Sequence, residues 1–121
     1  MKPNFVSIGA ACAALGVALG AFGAHALRSR VGPPELALWE TATRYWFIAA
    51  FGMLLFGLFR QKSGRASLSG WLLLGGGVLF AGSLYALALG APRGFGALTP
   101  FGGAGLIAGF VCFAISARRS E

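Results

Sequence analysis

The sequence predicts an all-α fold, an integral membrane four-helix bundle whose helices run antiparallel, up and down. Hydrophobic residues make up 57% of the 121 residues and charged residues only 11%. This balance is too apolar for a water-soluble domain of such a length. The charged residues also fall in short clusters between apolar segments that are long enough to cross a membrane. Each of these segments is therefore predicted to be one helix.

Four apolar segments make up a single membrane domain over residues 1–121, and they run over residues 5–27, 36–59, 68–89 and 99–117. Each approaches or exceeds the roughly 20 residues that cross a hydrocarbon core of about 30 Å. The first follows Lys2 as a secretory signal would, but its apolar stretch exceeds the usual signal core of about 7–15 residues. It is therefore predicted to remain as a transmembrane helix.

Helix breakers mark the three connections. The stretch RSRVGPPE, residues 28–35, contains Gly32 and a proline pair that a helix interior does not tolerate. RQKSGRAS, residues 60–67, is a short basic turn. GAPRGFGALTP, residues 90–100, ends in Thr99 and Pro100, a capping residue followed by proline at the first helical position. Because all three connections are short, helices that follow one another should pack as antiparallel neighbours.

Basic residues predict how the chain is oriented in the membrane. Short loops that are rich in Lys and Arg stay in the cytoplasm. The flanks on the side of the termini carry the larger group, which is Lys2, Arg60, Lys62, Arg65, Arg118 and Arg119, while the other side carries Arg28, Arg30 and Arg93. The sequence therefore predicts a multi-pass protein of the cell inner membrane with both termini cytoplasmic.

Small residues recur at intervals that are typical of helix contacts in lipid. Without a hydrophobic driving force between helices, close approach of backbones through small residues supports their association. Gly82 is followed four residues later by Ala86, and two glycine pairs show the same spacing. The predicted helix-packing residues are Gly16, Gly20, Gly82, Gly105 and Gly109.

A polar layer is predicted near the outer membrane face. Counting along the second segment from Arg60 places Glu40 at the outer boundary and Arg44 one turn deeper, on the same helix face. His25, the sole histidine of the sequence, ends the first segment at a similar depth, and Thr41, Thr43 and Ser83 reach the same layer. The candidate cluster is His25, Glu40, Arg44, Tyr45, Tyr85 and Thr99.

Two interpretations of this layer compete. In one, Glu40 and Arg44 neutralise each other and the layer is a structural clasp that holds the helix ends together. In the other, an ionisable cluster inside the membrane marks a ligand, ion or proton site. The clasp is favoured, because one histidine with one acid and one arginine is an incomplete catalytic set. No catalytic residue is assigned.

The remaining composition limits the partners and cofactors. The net charge is +7, but the basic residues form no stripe interleaved with aromatics, so we expect lipid headgroups and no nucleic acid as the partner. Cys12 and Cys112 lie inside apolar segments, where a free cysteine acts as a small hydrophobe. We expect no metal site and no cofactor, since no metal-ligand spacing occurs.

Four motifs carry a family resemblance. GAFGAHAL (20–27), ETATRY (40–45), FAGSLYALAL (80–89) and GALTPFGG (96–103) resemble the small four-helix membrane proteins of the domain-of-unknown-function family 423, which includes the eukaryotic transmembrane protein 256. The resemblance implies a fold and a membrane location, and it supports the six cluster positions without giving them a role. Members commonly carry a histidine one turn beyond the Arg-Tyr pair, where this chain has Ala49. That departure weakens any scheme in which two histidines bind a metal or relay a proton.

The sequence therefore predicts a small polytopic membrane protein of unknown activity, favoured as a structural or accessory component. The alternative is a small oligomeric transporter or channel with a polar site near the outer membrane face. An enzyme is not expected, because Ser, Cys, His and acidic residues form no nucleophile and base arrangement. The expected partners are the lipid bilayer and either another membrane protein or further copies of the chain.

Overall fold

The protein consists of four long helices in the computed structural model, which describes residues 4–63 and 67–119. Each helix is long and apolar enough to cross a membrane. Short 3₁₀ segments lie in the first connection, at Leu27–Ser29, and in the third, at Arg93–Ala97. The helices are α1 Phe5–His25, α2 Pro33–Ser63, α3 Leu68–Ala88 and α4 Thr99–Arg119. The predicted all-α, four-span, up-and-down fold is confirmed.

The helix starts follow local rules, with one correction. The Asn4 side chain caps α1 by accepting a hydrogen bond of 3.1 Å from the Ser7 N–H. α2 begins at Pro33, three residues before the predicted start, so the proline pair belongs to the helix and not to the loop. Proline is tolerated there because the first N–H groups of a helix have no intrahelical partner. α2 is therefore 31 residues long, against 21 in each other helix.

Helices that follow one another in the chain pack side by side, and α2 also touches α4 lightly. In the most apolar window of each helix, 50% of α2 and 39% of α3 are buried, against 17% in α1 and in α4. α2 and α3 therefore form the centre, and α1 and α4 lie on the flanks. We call the end that holds residues 26–32 and 89–98 the loop end, and the opposite end, where α1 begins and α4 finishes, the terminal end.

The core lies towards the terminal end. Its largest fully buried side chains are Phe5, Met53, Phe56 and Leu73, which come from α1, α2 and α3. The rings of Phe5 and Phe56 meet edge to face with centroids 5.8 Å apart. Of the residues behind the orientation prediction, Lys2 and Arg65 lie outside the described residues, as does part of the predicted turn over 60–67.

The contact between α1 and α2 is a seam of glycines and tryptophans. Trp39 lies over Gly23 and donates a hydrogen bond of 2.8 Å from Nε1 to the Leu19 carbonyl. Seven residues further along α2, Trp46 lies over Gly16 and donates one of 2.7 Å to the carbonyl of Cys12. In both cases the acceptor precedes the glycine by four residues. Each missing side chain thus lets an indole reach the backbone of the neighbouring helix.

A third glycine extends this Trp–Gly seam towards the terminal end. Gly9 lies seven residues before Gly16, and a Cβ added there would come within 2.7 Å of the Ala50 carbonyl oxygen. Only a residue without a side chain permits that approach between the two backbones. The seam therefore sets the register of α1 against α2 at three points.

Glycines also bring α4 close to α3. A Cβ at Gly109 would lie 3.0 Å from the Leu73 side chain, and one at Gly105 would lie 3.1 Å from the Gly76 Cα. Gly102 approaches the backbone of Phe80 closely. Since lipid offers no hydrophobic drive, these close contacts supply the packing that holds the pair together.

The five predicted packing glycines differ in their surroundings. Gly16, Gly105 and Gly109 lie at close helix contacts, whereas a Cβ at Gly20 would meet only Thr43 Cγ2, at an ordinary 3.6 Å. The prediction for Gly82 is wrong within the described chain, because it lies on the exposed face of α3 with no atom within 4 Å of an added Cβ. The spacing of small residues does not tell which face of a helix meets a neighbour, and α3 packs through Gly76 and Gly77 instead.

Candidate functional site

A hydroxyl pair joins α2 to α3 near the loop end. The buried Thr43 Oγ1 lies 2.6 Å from the Tyr85 hydroxyl, and it also lies 3.0 Å from the Trp39 carbonyl oxygen. The carbonyl can only accept, so the Thr43 hydroxyl donates to it, and the Tyr85 hydroxyl donates to Thr43. Both hydrogens thus go to protein acceptors.

A second pair joins α3 to the first residue of α4. Ser83 Oγ donates to the Phe80 carbonyl at 2.9 Å and lies 2.6 Å from Thr99 Oγ1. Because the hydrogen of Ser83 is already engaged, the Thr99 hydroxyl donates to it. The helix start that the Thr99-Pro100 pattern predicts is in this way tied to α3.

Aromatic rings hold the first pair in place. The Tyr85 ring lies 4.3 Å from that of Trp39, whose indole N–H is bonded to α1. One chain of contacts therefore runs from the backbone of α1 through Trp39 to Tyr85 on α3. Tyr45, on the other side of α2, instead has its ring 4.8 Å from that of Phe80.

Within the described residues, the charged members of the predicted cluster make no hydrogen bond to these hydroxyls. His25, Glu40 and Arg44 are all exposed. Within residues 4–63 and 67–119, Glu40 and Arg44 form no ion pair and His25 makes no side-chain hydrogen bond. The predicted charge pairing is therefore wrong within the described residues: Arg44 lies on the exposed face of α2, and Glu40 lies at the lining of a pocket between α1 and α2 without an ion-pair partner. The helix ends are held by hydroxyls and indoles.

The sequence interpretation missed the indole donors. It gave the tryptophans no hydrogen-bonding role, whereas the structure buries Trp39 and Trp46 and gives each a backbone acceptor on α1. A signal was present, because the two tryptophans are seven residues apart, as are Gly16 and Gly23. Equal spacing on antiparallel neighbours allows both contacts to form at once.

A small pocket opens between α1 and α2 beside this site. It has a volume of about 170 Å³ and its lining includes Gly20, Gly23, Trp39, Glu40 and Thr43. Glu40 supplies the one ionisable side chain among the lining residues. In the part of the chain that the structure describes, no group of three His, Cys, Asp or Glu residues is placed to hold a metal ion.

Fold and site together define a small polytopic membrane protein with four spans. The family model described as a protein of unknown function (DUF423) matches residues 19–103, and the chain belongs to this family. It is 40% identical over 116 residues to a UPF0382 membrane protein of Staphylococcus haemolyticus, covering 93% of each chain. It is 36% identical over 118 residues to the UPF0382 membrane protein YwdK of Bacillus subtilis, covering 95% of this chain and 96% of that one. No solved structure matches the chain.

Proposed function

We propose that the protein is a structural or accessory component of a bacterial membrane. The observation that carries this proposal is the engagement of the loop-end hydroxyls with one another. Thr43, Tyr85, Ser83 and Thr99 direct their hydrogens to acceptors within the chain. A ligand would have to displace those bonds, so the arrangement suits a clasp better than a binding site.

We propose also that the protein is not an enzyme. Nucleophilic catalysis needs a nucleophile and a base within hydrogen-bond reach of each other. Cys12 lies on α1 and Cys112 on α4, on opposite flanks of the central helices, while His25 is exposed at the end of α1. The placement of these reactive side chains supports the proposal.

We propose that both termini are cytoplasmic and that the membrane is the cell inner membrane. The support is the larger number of Lys and Arg residues in the flanks on the terminal side. An accessory role further requires a protein partner, either another membrane protein or a second copy. The flanking helices α1 and α4 offer the largest exposed faces for it.

The alternative is a small oligomeric transporter or channel. The pocket between α1 and α2 favours it, because Glu40 lies at its lining beside the buried Thr43. Ionisable residues inside a membrane commonly belong to ion or proton pathways. A pocket of about 170 Å³ in one chain does not form a continuous path across the membrane. Transport would therefore need an assembly of several copies.

A flux assay with purified protein separates the two functions. We expect vesicles that contain the protein to take up protons, potassium or small anions no faster than protein-free vesicles. Thr43→Val and Tyr85→Phe should each lower the unfolding temperature, and the size of each decrease should not depend on which solute is present. The structural proposal would be contradicted, and transport supported, if the wild type carried a flux and the Glu40→Gln variant did not. The variant would have to keep the unfolding temperature of the wild type.

A further inference from the structure

A second and larger groove runs between α2 and α4 on the outside of the bundle. Its volume is about 470 Å³, which lies within the usual range of about 300–1,000 Å³ for small-molecule sites. Aliphatic and aromatic side chains dominate its wall, and the Tyr45 hydroxyl is a polar group at its edge. The principal lining residues are Tyr45, Ile48, Phe80, Gly103, Ile107 and Phe110.

The packing of α4 explains why this groove exists. Gly102 and Gly105 draw α4 towards α3 and leave a gap beside α2. Further down, the Phe110 ring lies against Gly52, where an added Cβ would be 2.7 Å from Cζ. The groove therefore extends from the level of Tyr45 and Gly103 to the level of Phe110, where the ring of Phe110 packs against α2.

A cation lies on α2 one turn from the groove lining, on its loop-end side. Arg44 precedes Ile48 by four residues and so shares its helix face. Side chains of a helix lean towards its N-terminus, which for α2 is the loop end. Arg44 is exposed, and it forms no ion pair within residues 4–63 and 67–119. The positive charge and the apolar groove below it therefore face the same outside medium.

We propose that this groove holds one acyl chain of an anionic phospholipid and that Arg44 binds the phosphate of its headgroup. A cation without a counter-ion is costly at membrane depth, and a guanidinium pairs with phosphate through two parallel hydrogen bonds. An anionic phospholipid matches both features of this surface. Its phosphate can pair with Arg44 while the acyl chain attached to the same headgroup lies in the apolar groove.

Native mass spectrometry of the detergent-purified full chain tests this site. The probes are phosphatidylglycerol and phosphatidylcholine with identical acyl chains, added in equal amounts. We expect one phosphatidylglycerol to be retained in preference to phosphatidylcholine. Arg44→Gln should lower its retention about fivefold to tenfold, because it removes a charged hydrogen-bond partner of the phosphate. Arg28→Gln, at an exposed arginine of the loop end outside the groove, should leave retention unchanged.

A second variant tests the groove without altering any charge. Ile107 is 68% exposed, so Ile107→Trp should fill the groove without disturbing the helix contacts and should lower retention several-fold. Val17→Trp is its control, at a residue 64% exposed on α1. Equal retention by Ile107→Trp and Val17→Trp, or by Arg44→Gln and wild type, would overturn the proposal. Equal binding of the two phospholipids would overturn the assignment of an anionic headgroup.

Discussion

Gly16 and Gly23 show how much of this fold depends on single absent side chains. A Cβ at Gly23 would lie 2.5 Å from Trp39 Cδ1, and one at Gly16 would lie 2.8 Å from the Phe47 ring and 3.1 Å from Trp46 Cδ1. Contacts this short force the ring to move. Moving the indole would lengthen or break its hydrogen bond to α1, so one methyl group affects both packing and bonding.

Substituting the seam glycines is therefore expected to destabilise the protein. Gly16→Ala and Gly23→Ala should each lower the free energy of unfolding by about 1–3 kcal/mol, as overpacking does in a tight core. The measurement is unfolding in mixed micelles as the fraction of denaturing detergent rises.

Gly82→Ala is the matched control for these variants. Gly82 is also a glycine inside a helix, but nothing lies within 4 Å of its added Cβ. Alanine there should be neutral or should stabilise the helix by about 0.5–1 kcal/mol. Equal losses from all three variants would mean that the seam is not the cause.

From the sequence, glycine could be identified as the residue at close helix contacts, but not which face of each helix makes the contact. The pattern of small residues four apart correctly drew attention to Gly109, and it failed at Gly82 because no atom of the described chain lies within 4 Å of a Cβ added there. In water a polar face marks the outside of a helix, whereas in lipid both faces are apolar. The spacing of seven shared by the glycines and tryptophans was the stronger signal.

Among the elements, α4 is hydrogen-bonded to α3 at its first residue. α4 begins at Thr99, beside Ser83, while α3 continues to Ala88. α4 therefore starts about one and a half turns below the end of its neighbour, with the 3₁₀ segment Arg93–Ala97 in the connection to it. The Ser83–Thr99 hydrogen bond is the polar contact that holds this start against α3.

A double-mutant cycle measures the strength of that contact. Ser83→Ala and Thr99→Val should each destabilise the protein, and the double variant should lose less than the sum of the two. The coupling free energy should be about 0.5–1.5 kcal/mol, the range for hydrogen bonds between membrane helices. Unfolding in mixed micelles provides all four values. Strictly additive losses would show that the two hydroxyls do not depend on each other.

The depth of a residue along its helix could be predicted from the sequence, but the side of the helix on which it lies could not. Counting at 1.5 Å per residue placed Thr43, Tyr85 and Thr99 in one layer, and the structure joins Thr43 to Tyr85 within it. The same counting placed Arg44 in this layer without showing that it lies on the outside of α2. Four helices followed from four apolar segments, and the missed start of α2 reflects the special tolerance of the first turn for proline.

For the whole molecule, two central helices carry most of the internal contacts and two flanking helices carry most of the exposed surface. Each flank is tied to its own central neighbour, α1 through the Trp–Gly seam and α4 through the glycines 102, 105 and 109. Loss of one flank would leave the contact between α2 and α3 intact. Stability is therefore spread over three separate helix contacts.

Cysteine labelling tests the proposed orientation of the whole chain. With Cys12 and Cys112 replaced by alanine, Ser29→Cys should react with an impermeant thiol reagent in intact cells. Ser63→Cys should react only after the membrane is permeabilised, because Lys and Arg retain the terminal side in the cytoplasm. The opposite pattern of labelling would reverse the orientation.

The two indoles of the Trp–Gly seam also make the contact between α1 and α2 optically visible. Trp39 and Trp46 are only 4% and 6% exposed, whereas the third indole, Trp71, is 49% exposed near the start of α3. Brominated acyl chains quench fluorescence on contact, so they should remove the emission of Trp71 and spare that of the seam. A Trp71→Phe variant would then report the separation of α1 from α2 by its own fluorescence, without an attached dye.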